Sequence, residues 1–392
     1  MTGSDKIRIL HLRASQFYGG PEKQILHHAI SASSPEQEIW LGSFRDAPAR
    51  PEFLERAERV GLPTVEFSSG RFRLQTVLEL VRTLRKNKFS LLCTHGYKAN
   101  LLGWAASRLT ECPQIAFARG WTGENWRIKL YERFDRLVLR WTDWVVCVSR
   151  PLADEIGKMR TRRTPPALIP NCALLPFHNL ALPVDRRPSR KALGPVFDSF
   201  CICAAGRLSP EKGHRYLLQA IANLVRSTPR LLLVLLGEGR ERSNLEQQAR
   251  ELGIEKHVLF AGFKKDIGPW IQACDLLVNP SLTEGTPNVV LEAMALGTPV
   301  IATSVGGVPD LVEHMNSGIL VAPGDSDALA GAIHAIFRSP AEQQHLARNA
   351  QKRLFEFSPE RQTRRLNELY AKALGILERA TIDSSVPLPI EG

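Results

Sequence analysis

The sequence predicts an α/β protein of two doubly wound domains, each a parallel sheet with helices on both faces. Three observations carry this expectation. Short continuous apolar runs such as "LLLVLLG" and "PVIAT" recur along the 392 residues, as strands buried on both faces require. Amphipathic segments such as "HRYLLQAIANLV" and "RSNLEQQARELG" separate most of them, the rhythm of right-handed βαβ crossovers. A proline-rich stretch without that rhythm, residues 163–189, divides the chain, as a linker between domains would.

In order, "IRILHLRA" reads as the first buried strand, and "QFYGGPEKQILHHAI" as a glycine loop entering a helix. The strand candidates "EIWLGSF", "PTVEF", "SLLCTHG", "QIAFARG" and "WVVCVS" follow, with helical stretches between them. After the linker come "SFCICAAG", "LLLVLLG", "VLFAG", "LLVNPS", "PVIAT" and "GILVAP". The segment "PERQTRRLNELYAKALGILERA" reads as one more helix, and "TIDSSVPLPIEG" as a frayed tail. The expected organisation is an N-terminal Rossmann-like domain at 1–185, with a linker at about 163–190. A second Rossmann-like domain spans 186–360, and 361–392 holds a helix returning to the first domain and the tail. Two such domains face each other across a cleft, where ligands meet the carboxyl ends of strands.

Composition narrows the function classes. The hydrophobic fraction, 44%, suits a globular protein with full cores. No run of about eighteen uncharged apolar residues is present, so no membrane-spanning helix is expected. The start, "MTGSDKIRILHLRAS", lacks the apolar centre of a signal peptide, and a cytoplasmic location is expected. The 7 cysteines are scattered, without a C-x-x-C pair, which fits buried thiols in a reducing compartment. The net charge of +11 is uneven: residues 1–190 hold 30 Lys+Arg against 18 Asp+Glu, and the remainder 21 against 22. An anionic partner for the first half is implied. No motif that reads nucleic acid accompanies the charge, so the expected partner is a phosphorylated acceptor or a membrane surface.

Two stretches carry the chemistry. In "AAGRLSPEKGH", a strand ends at Gly206, and Arg207 and Lys212 flank a turn before a helix. Two cations and a small-residue turn at a strand end suit a diphosphate, which arginine binds in a fork and lysine as a point charge. In "TEGTPNVVLEAMALGTPV", Glu284 and Glu292 sit among apolar residues, where a carboxylate without a partner is costly. Glu284 follows a strand. Thr286 is a candidate N-cap and Pro287 a first helical residue. Glu292 falls in the second helical turn, and Gly297 ends the helix. Backbone N–H groups near Gly285 to Asn288 form an anion site, and two carboxylates suit sugar hydroxyls. The loops after "LLLVLLG", with Glu238, and after "VLFAG", with Phe263 and Lys264, would hold a base.

In order and spacing, "GRLSPEKG", "LLGEG", "VLFAGF", "DLLVNPSLTEGTPNVVLEAMALGTPVIAT", "VGGVPDLV" and "GILVAPGD" resemble the retaining nucleotide-sugar glycosyltransferases of family 4, of the GT-B fold. In the first half, "YGGPEKQ", "THGYKAN" and "VVCVSRPLADEI" also match, so the resemblance spans essentially the whole chain. It implies a hexosyltransferase using a UDP- or GDP-linked sugar, without a cofactor or an obligatory metal. Arg207 and Lys212 would hold the diphosphate beside Gly206 and neutralise charge as the glycosidic bond breaks. Glu284 would contact the donor sugar and Glu292 the ribose. The backbone of Gly285, Thr286, Pro287, Asn288 and Val289 would meet sugar and phosphates, main chain near Phe263 and Lys264 the base, and Gly20 the diphosphate from the other domain. Retention in the family is same-face, a donor phosphate oxygen helping to deprotonate the acceptor, so Glu284 is not assigned as a nucleophile.

The sequence departs from the family pattern in places. Where many relatives carry a histidine near the donor sugar, this chain has Arg119; it and His95 in "THGY" are the remaining catalytic candidates. The usual Asn-Gly after the linker strand is Asn171-Cys172. The "DSD" at Asp325 to Asp327 mimics a metal motif but sits where helix caps are routine. The segment 125–144 reads as an amphipathic helix with Leu130, Phe134, Leu137 and Val138 toward the core, the alternative being a helix lying on an anionic bilayer surface near the acceptor cleft. The residues 71–89 and 158–163 are the expected anionic-surface contacts. The reading is a transferase acting on a cell-surface glycan or lipid-linked saccharide at the cytoplasmic membrane face. The alternatives are a nucleotide-sugar epimerase of the same fold or a non-catalytic sugar-nucleotide-binding protein.

Overall fold

The computed structural model describes residues 6–46, 48–68, 74–121, 126–160, 164–175, 189–191 and 199–376. The chain forms two compact units. Met1–Pro170 with Pro359–Gly392 make the first, and Asn171–Ser358 the second. Parts of the expected surface segments 71–89 and 158–163, most of the linker and the tail lie outside the described residues.

The first unit is a seven-stranded parallel sheet. Its strands are β1 (Ile7–Arg13), β2 (Gln37–Phe44), β3 (Thr64–Phe67), β4 (Leu91–His95), β5 (Gln114–Ala118), β6 (Trp144–Cys147) and β7 (Ala167–Leu168), in the order β3-β2-β1-β4-β5-β6-β7. The strand order reverses between β1 and β4, where a doubly wound sheet opens a crevice at its carboxyl edge. β7 pairs Ala167 with Val146, so the expected linker contributes a strand before it leaves the unit at Pro170. Its two residues are too few for an apolar run to stand out between the prolines.

The helices are α1 (Gly20–Ala32), α2 (Glu52–Arg59), α3 (Leu74–Lys86), α4 (Tyr97–Thr110), α5 (Trp126–Trp141) and α6 (Arg150–Met159). One core joins Ile25, Phe53, Leu366 and Tyr370 to the sheet. Two others are formed by Leu80, Leu84 and Leu102, and by Leu139, Leu152 and Ile156. Leu366 and Tyr370 belong to the last helix of the chain, Pro359–Ala373, which packs on α1.

The second unit has a six-stranded parallel sheet of β8 (Phe200–Ala205), β9 (Leu231–Leu236), β10 (Val258–Gly262), β11 (Leu276–Asn279), β12 (Val300–Thr303) and β13 (Ile319–Val321). Their order is β10-β9-β8-β11-β12-β13. Alternate residues of β9 feed opposite cores: Leu232, Val234 and Leu236 one, Leu231, Leu233 and Leu235 the other. A continuous apolar run is what burial of both faces demands at a side-chain period of two. Cys201 and Cys203 share one face for the same reason, and all seven cysteines are buried.

The helices of this unit are α7 (His214–Leu224), α8 (Arg242–Glu251), α9 (Gly268–Ala273), α10 (Asn288–Ala295), α11 (Val308–Leu311), α12 (Ser326–Arg338) and α13 (Pro340–Arg353); the terminal helix of the first unit is α14. The second unit begins at Asn171, earlier than the expected 186. Its first residues are already committed: Ala173 N–H donates to Phe357 O at 2.9 Å and its side chain joins the core. No helix among the described residues is long and apolar enough to cross a membrane.

Candidate active site

The strand order of the second sheet reverses between β8 and β11, and the two chemistry-bearing loops leave those two strands. After β8 come Gly206, the exposed Arg207 and a 3-10 turn at Pro210–Lys212. After β11 comes the loop from Pro280 to Pro287, which leads into α10. Backbone contacts tie these loops to each other and to the loop after β12. Leu282 N–H donates to Glu211 O at 2.8 Å, and Gly307 N–H to Gly285 O at 2.7 Å. Glycine is required at two of the joints. A Cβ on Gly213, at φ +66°, would lie 2.0 Å from Pro280 O, and one on Gly306, at φ +53°, 1.8 Å from Glu284 O.

This frame brings Lys212 and Glu284 together. Lys212 Nζ donates to Glu284 Oε1 at 2.6 Å, and Ser281 Oγ donates to the same oxygen at 2.7 Å. The carboxylate is largely buried, so its partners offset the cost of desolvation. Ser281, which sequence reasoning missed, also reaches Asn279 Oδ1 at 3.3 Å. Gly206 packs beside the Lys212 side chain, with an added Cβ 3.5 Å from Lys212 Cδ. A cation and an anchored carboxylate at one strand edge can meet a phosphate and a hydroxyl, respectively. His214, the first residue of α7, is buried, and burial followed by the Lys212 charge lowers its pKa to about 4. It is neutral near pH 7 and adds no charge to this edge.

The start of α10 corrects one expectation. Pro287 is the N-cap, with no side-chain cap hydrogen bond, and Asn288 the first helical residue; Thr286 does not cap. Asn171 fastens this corner instead, donating from Nδ2 to Thr286 O at 2.8 Å and to Asn288 Oδ1 at 2.9 Å. That is the work done by the asparagine of the Asn-Cys pair; no local pattern pointed from residue 171 to residue 286. Val289 is half-buried on the first turn and Glu292 buried on the second, and the helix ends at Gly297 with φ +66°.

The loops after β9 and β10 lie at the neighbouring edge. Glu238 accepts from Arg242 Nη1 at 2.7 Å, and its backbone oxygen accepts from Leu208 N–H at 3.0 Å. Phe263 is exposed, and the Lys264 ammonium stands 4.8 Å from the Trp270 ring centroid.

In the first unit, Gly20 opens α1 after the loop that leaves β1. Glu22 accepts from Gly19 N–H at 3.0 Å and from Arg13 Nε at 2.7 Å. Arg119 follows β5, half-buried, with its guanidinium 5.9 Å from the Phe117 ring centroid. His95 closes β4 but is buried: its Nε2 lies 3.0 Å from His11 Nδ1, and its ring stacks on Phe117 at 4.2 Å. The chain continues from His11 Nε2 to the Tyr370 hydroxyl at 3.2 Å, and from there to His28 Nε2 at 2.8 Å. Burial lowers the pKa of all three imidazoles, to about 3 at His28; neighbouring histidines and, at His11 and His95, the Arg119 charge lower them further. Three neutral rings and a phenol therefore pin α14 beneath the sheet.

The helix α12 starts where the "DSD" lies. Asp325 Oδ1 accepts from Ala328 N–H at 2.8 Å as an N-cap, and Asp327 accepts from Asn223 Nδ2 at 2.9 Å. Among the described residues, no three His, Cys, Asp or Glu side chains are grouped so as to hold a metal ion.

Known proteins share this frame. Residues 185–353 match the family described as Glycosyl transferases group 1, and residues 25–172 the Glycosyl transferase 4-like domain. A D-inositol 3-phosphate glycosyltransferase of Saccharomonospora viridis is 30% identical over 94% of this chain and 88% of its own length. The UDP-Gal:alpha-D-GlcNAc-diphosphoundecaprenol alpha-1,3-galactosyltransferase of Escherichia coli is 24% identical over 84% of this chain and 87% of its own. The crystal structure of Anabaena HepE in complex with UDP-glucose superposes with a TM-score of 0.80 at 26% identity, covering 93% of this chain and 100% of that one. By its sequence and its two parallel-sheet units, the chain belongs to the group 1 glycosyltransferases of the GT-B fold and is a transferase enzyme.

Proposed function

We propose that the protein transfers a hexosyl group, with retention and without an obligatory metal, from a UDP- or GDP-linked sugar to a lipid-linked saccharide or growing cell-surface glycan. The observation that carries the reading is the Lys212–Glu284 pair at the reversal of strand order in the second sheet. Lys212 and Arg207 would take the diphosphate and stabilise the charge that builds on it as the glycosidic bond breaks. Glu284 would accept from hydroxyls of the sugar, and Glu292 from those of the ribose. The backbone from Gly285 to Val289 would line sugar and phosphate, with Glu238, Phe263 and Lys264 at the base. Gly20, Arg119 and His95 belong to the unit that would receive the acceptor; the burial of His95 favours a positioning role over contact with substrate. HepE binds UDP and UDP-glucose, and the Escherichia coli relative is named for a diphosphoundecaprenol-linked acceptor, which supports this donor and acceptor class. The basic first unit would hold the protein to the cytoplasmic face of a membrane as a peripheral protein.

The test is product analysis. The protein is incubated with a panel of UDP- and GDP-sugars, with and without a short-chain GlcNAc-diphosphate lipid and with a chelator present. Proton NMR then assigns the new anomeric centre. The expected result is an acceptor-dependent product with the donor's anomeric configuration. An inverted centre overturns retention, loss of product under chelation overturns metal independence, and a changed free sugar without acceptor identifies an epimerase.

A further inference from the structure

Helix α5 is inside out for a surface helix. Its two carboxylates, Glu132 and Asp135, are only 6% and 5% exposed. Asp135 accepts from Asn100 Nδ2 at 2.8 Å and from Trp121 Nε1 at 3.1 Å. Leu130, Phe134, Leu137 and Trp141, by contrast, are 43–53% exposed. Their spacing of four, three and four residues draws one stripe along the helix. This reverses the expectation that Leu130, Phe134 and Leu137 face the core; of the four residues named, only Val138 does. The sequence periodicity was sound, but it cannot tell which side of an amphipathic helix meets the protein when buried carboxylates find partners.

Exposed cations flank the stripe. Lys129, Arg133 and Arg140 are exposed, whereas Arg136 is engaged, stacked 4.0 Å from the Trp121 ring centroid and bonded to Glu155 at 3.2 Å. The adjoining helices continue the pattern. Arg85 reaches Leu109 O at 2.6 Å and Arg108 reaches Trp141 O at 2.9 Å, linking α3, α4 and α5 side by side. On α3, Leu74 and Leu78 are exposed beside the basic Arg82, Arg85 and Lys86.

We infer that the outer face of α5 lies in the headgroup region of an anionic bilayer, its apolar stripe inserted and its cations on lipid phosphates. A large exposed apolar patch calls for a partner. An apolar stripe between basic flanks, with no exposed acid among the described residues of α5 itself, is the pattern of a helix lying in the plane of a membrane interface. Charge argues against a second copy of the chain. A two-fold contact through this face would bring Arg133 and Arg140 toward their own counterparts with no exposed carboxylate on α5 to pair them. The inference rests on the lipid-linked acceptor proposed above, and it places the α5 face of the first unit against the membrane that carries that acceptor.

The experiment is flotation of the full-length protein with phosphatidylcholine vesicles, with and without phosphatidylglycerol. Three proteins are compared: the unaltered chain, Phe134→Ser with Leu137→Ser, and Arg133→Glu with Arg140→Glu. The unaltered protein should float only with the anionic vesicles. Each double variant should partition at least about 10-fold less, since apolar insertion and lipid charge act together. All three should keep the same melting temperature and the same transfer to a water-soluble acceptor. Unchanged partitioning of either variant overturns the inference, as does a dimer of the unaltered protein that both variants dissolve. Failure of all three to transfer sugar strikes the proposed function instead, and the flotation result then stands or falls by itself.

Discussion

The two units share a parallel sheet whose strand order reverses at its middle, but they fill that position differently. In the second, the reversal carries an ion pair, Lys212 with Glu284, on two loops tied together through backbone and glycine. In the first, the end of β1 carries a pair of its own, Arg13 with Glu22 of α1, but beside it lie the neutral, buried rings of His95 and His11, joined to Tyr370 of α14. Further cations lie on outward helix faces, and Arg119 stands half-buried after β5. The second unit thus holds Lys212 and the exposed Arg207 at its strand edge, as the proposed diphosphate sugar would need. The first adds exposed cations along α3 and α5, as the proposed anionic surface would need. The same frame serves both because the sheet fixes where loops emerge and leaves the chemistry of the loops free.

The largest expected effect breaks the ion pair. Lys212→Ala and Glu284→Ala should each lower kcat/KM by about 10²–10³-fold or more, the scale set by removing one preorganised group that stabilises developing charge. Thermal unfolding run alongside separates this from loss of the fold. Lys212→Ala leaves Glu284 with Ser281 as its partner among the described residues, so a lower melting temperature is expected as well. Full transfer by Lys212→Ala would remove the diphosphate from this edge, and with it the contrast between the units.

The same contrast explains what the sequence made legible. The residues proposed to hold the donor lie in contiguous stretches, each a strand, a loop and a helix start, so the sequence order of Gly206, Lys212 and Glu284 suffices to propose them together. The proline-rich boundary was visible, but β7 inside it was not, because two paired residues leave no periodicity. Thr286 looked like a cap because threonine often is one; the cap is Pro287, and the corner is fastened by Asn171, remote in sequence. Ser281 carries no signal in the sequence, because a serine after a strand is ordinary until a buried carboxylate lies 2.7 Å away. In the first unit the decisive facts are long-range: His11, His28, His95 and Tyr370 come from four elements, and the outward face of α5 depends on where Asp135 finds its partners.

Acid should separate the units next. A histidine whose folded pKa is below its unfolded value of about 6.5 is protonated first in the unfolded chain. Stability is therefore full above that value and falls as the pH drops toward the folded pKa. The folded values are about 3 at His28 and about 4 at His214, and His11 and His95 are also lowered. Among the described residues the first unit carries four such rings, His27 beside the three of the buried chain, and the second carries His214. Hydrogen exchange at about pH 5 against about pH 7.5, corrected for intrinsic rates, should show β1 and β4 losing more protection than β8 and β11. Equal losses would mean that the imidazole chain is not what distinguishes the two folds.

The smallest effect tests a charged group that the comparison leaves out of the chemistry. Asp325 belongs to an acidic pair that could be taken for a metal motif, yet its Oδ1 accepts from Ala328 N–H at 2.8 Å, and its partner Asp327 is bonded to Asn223. Both carboxylates are thus used in holding α12, away from the loops that carry Lys212 and Glu284 in sequence. Asp325→Ala should cost about 0.5–2 kcal/mol of stability, the range for losing an N-cap, seen as a lower denaturant midpoint with an unchanged slope. Transfer at a temperature where the variant is folded should stay at the unaltered rate. A loss as deep as that of Lys212→Ala, restored by added divalent cation, would put the acidic pair into the reaction. The charge at the β8 and β11 edge would then be only part of the machinery.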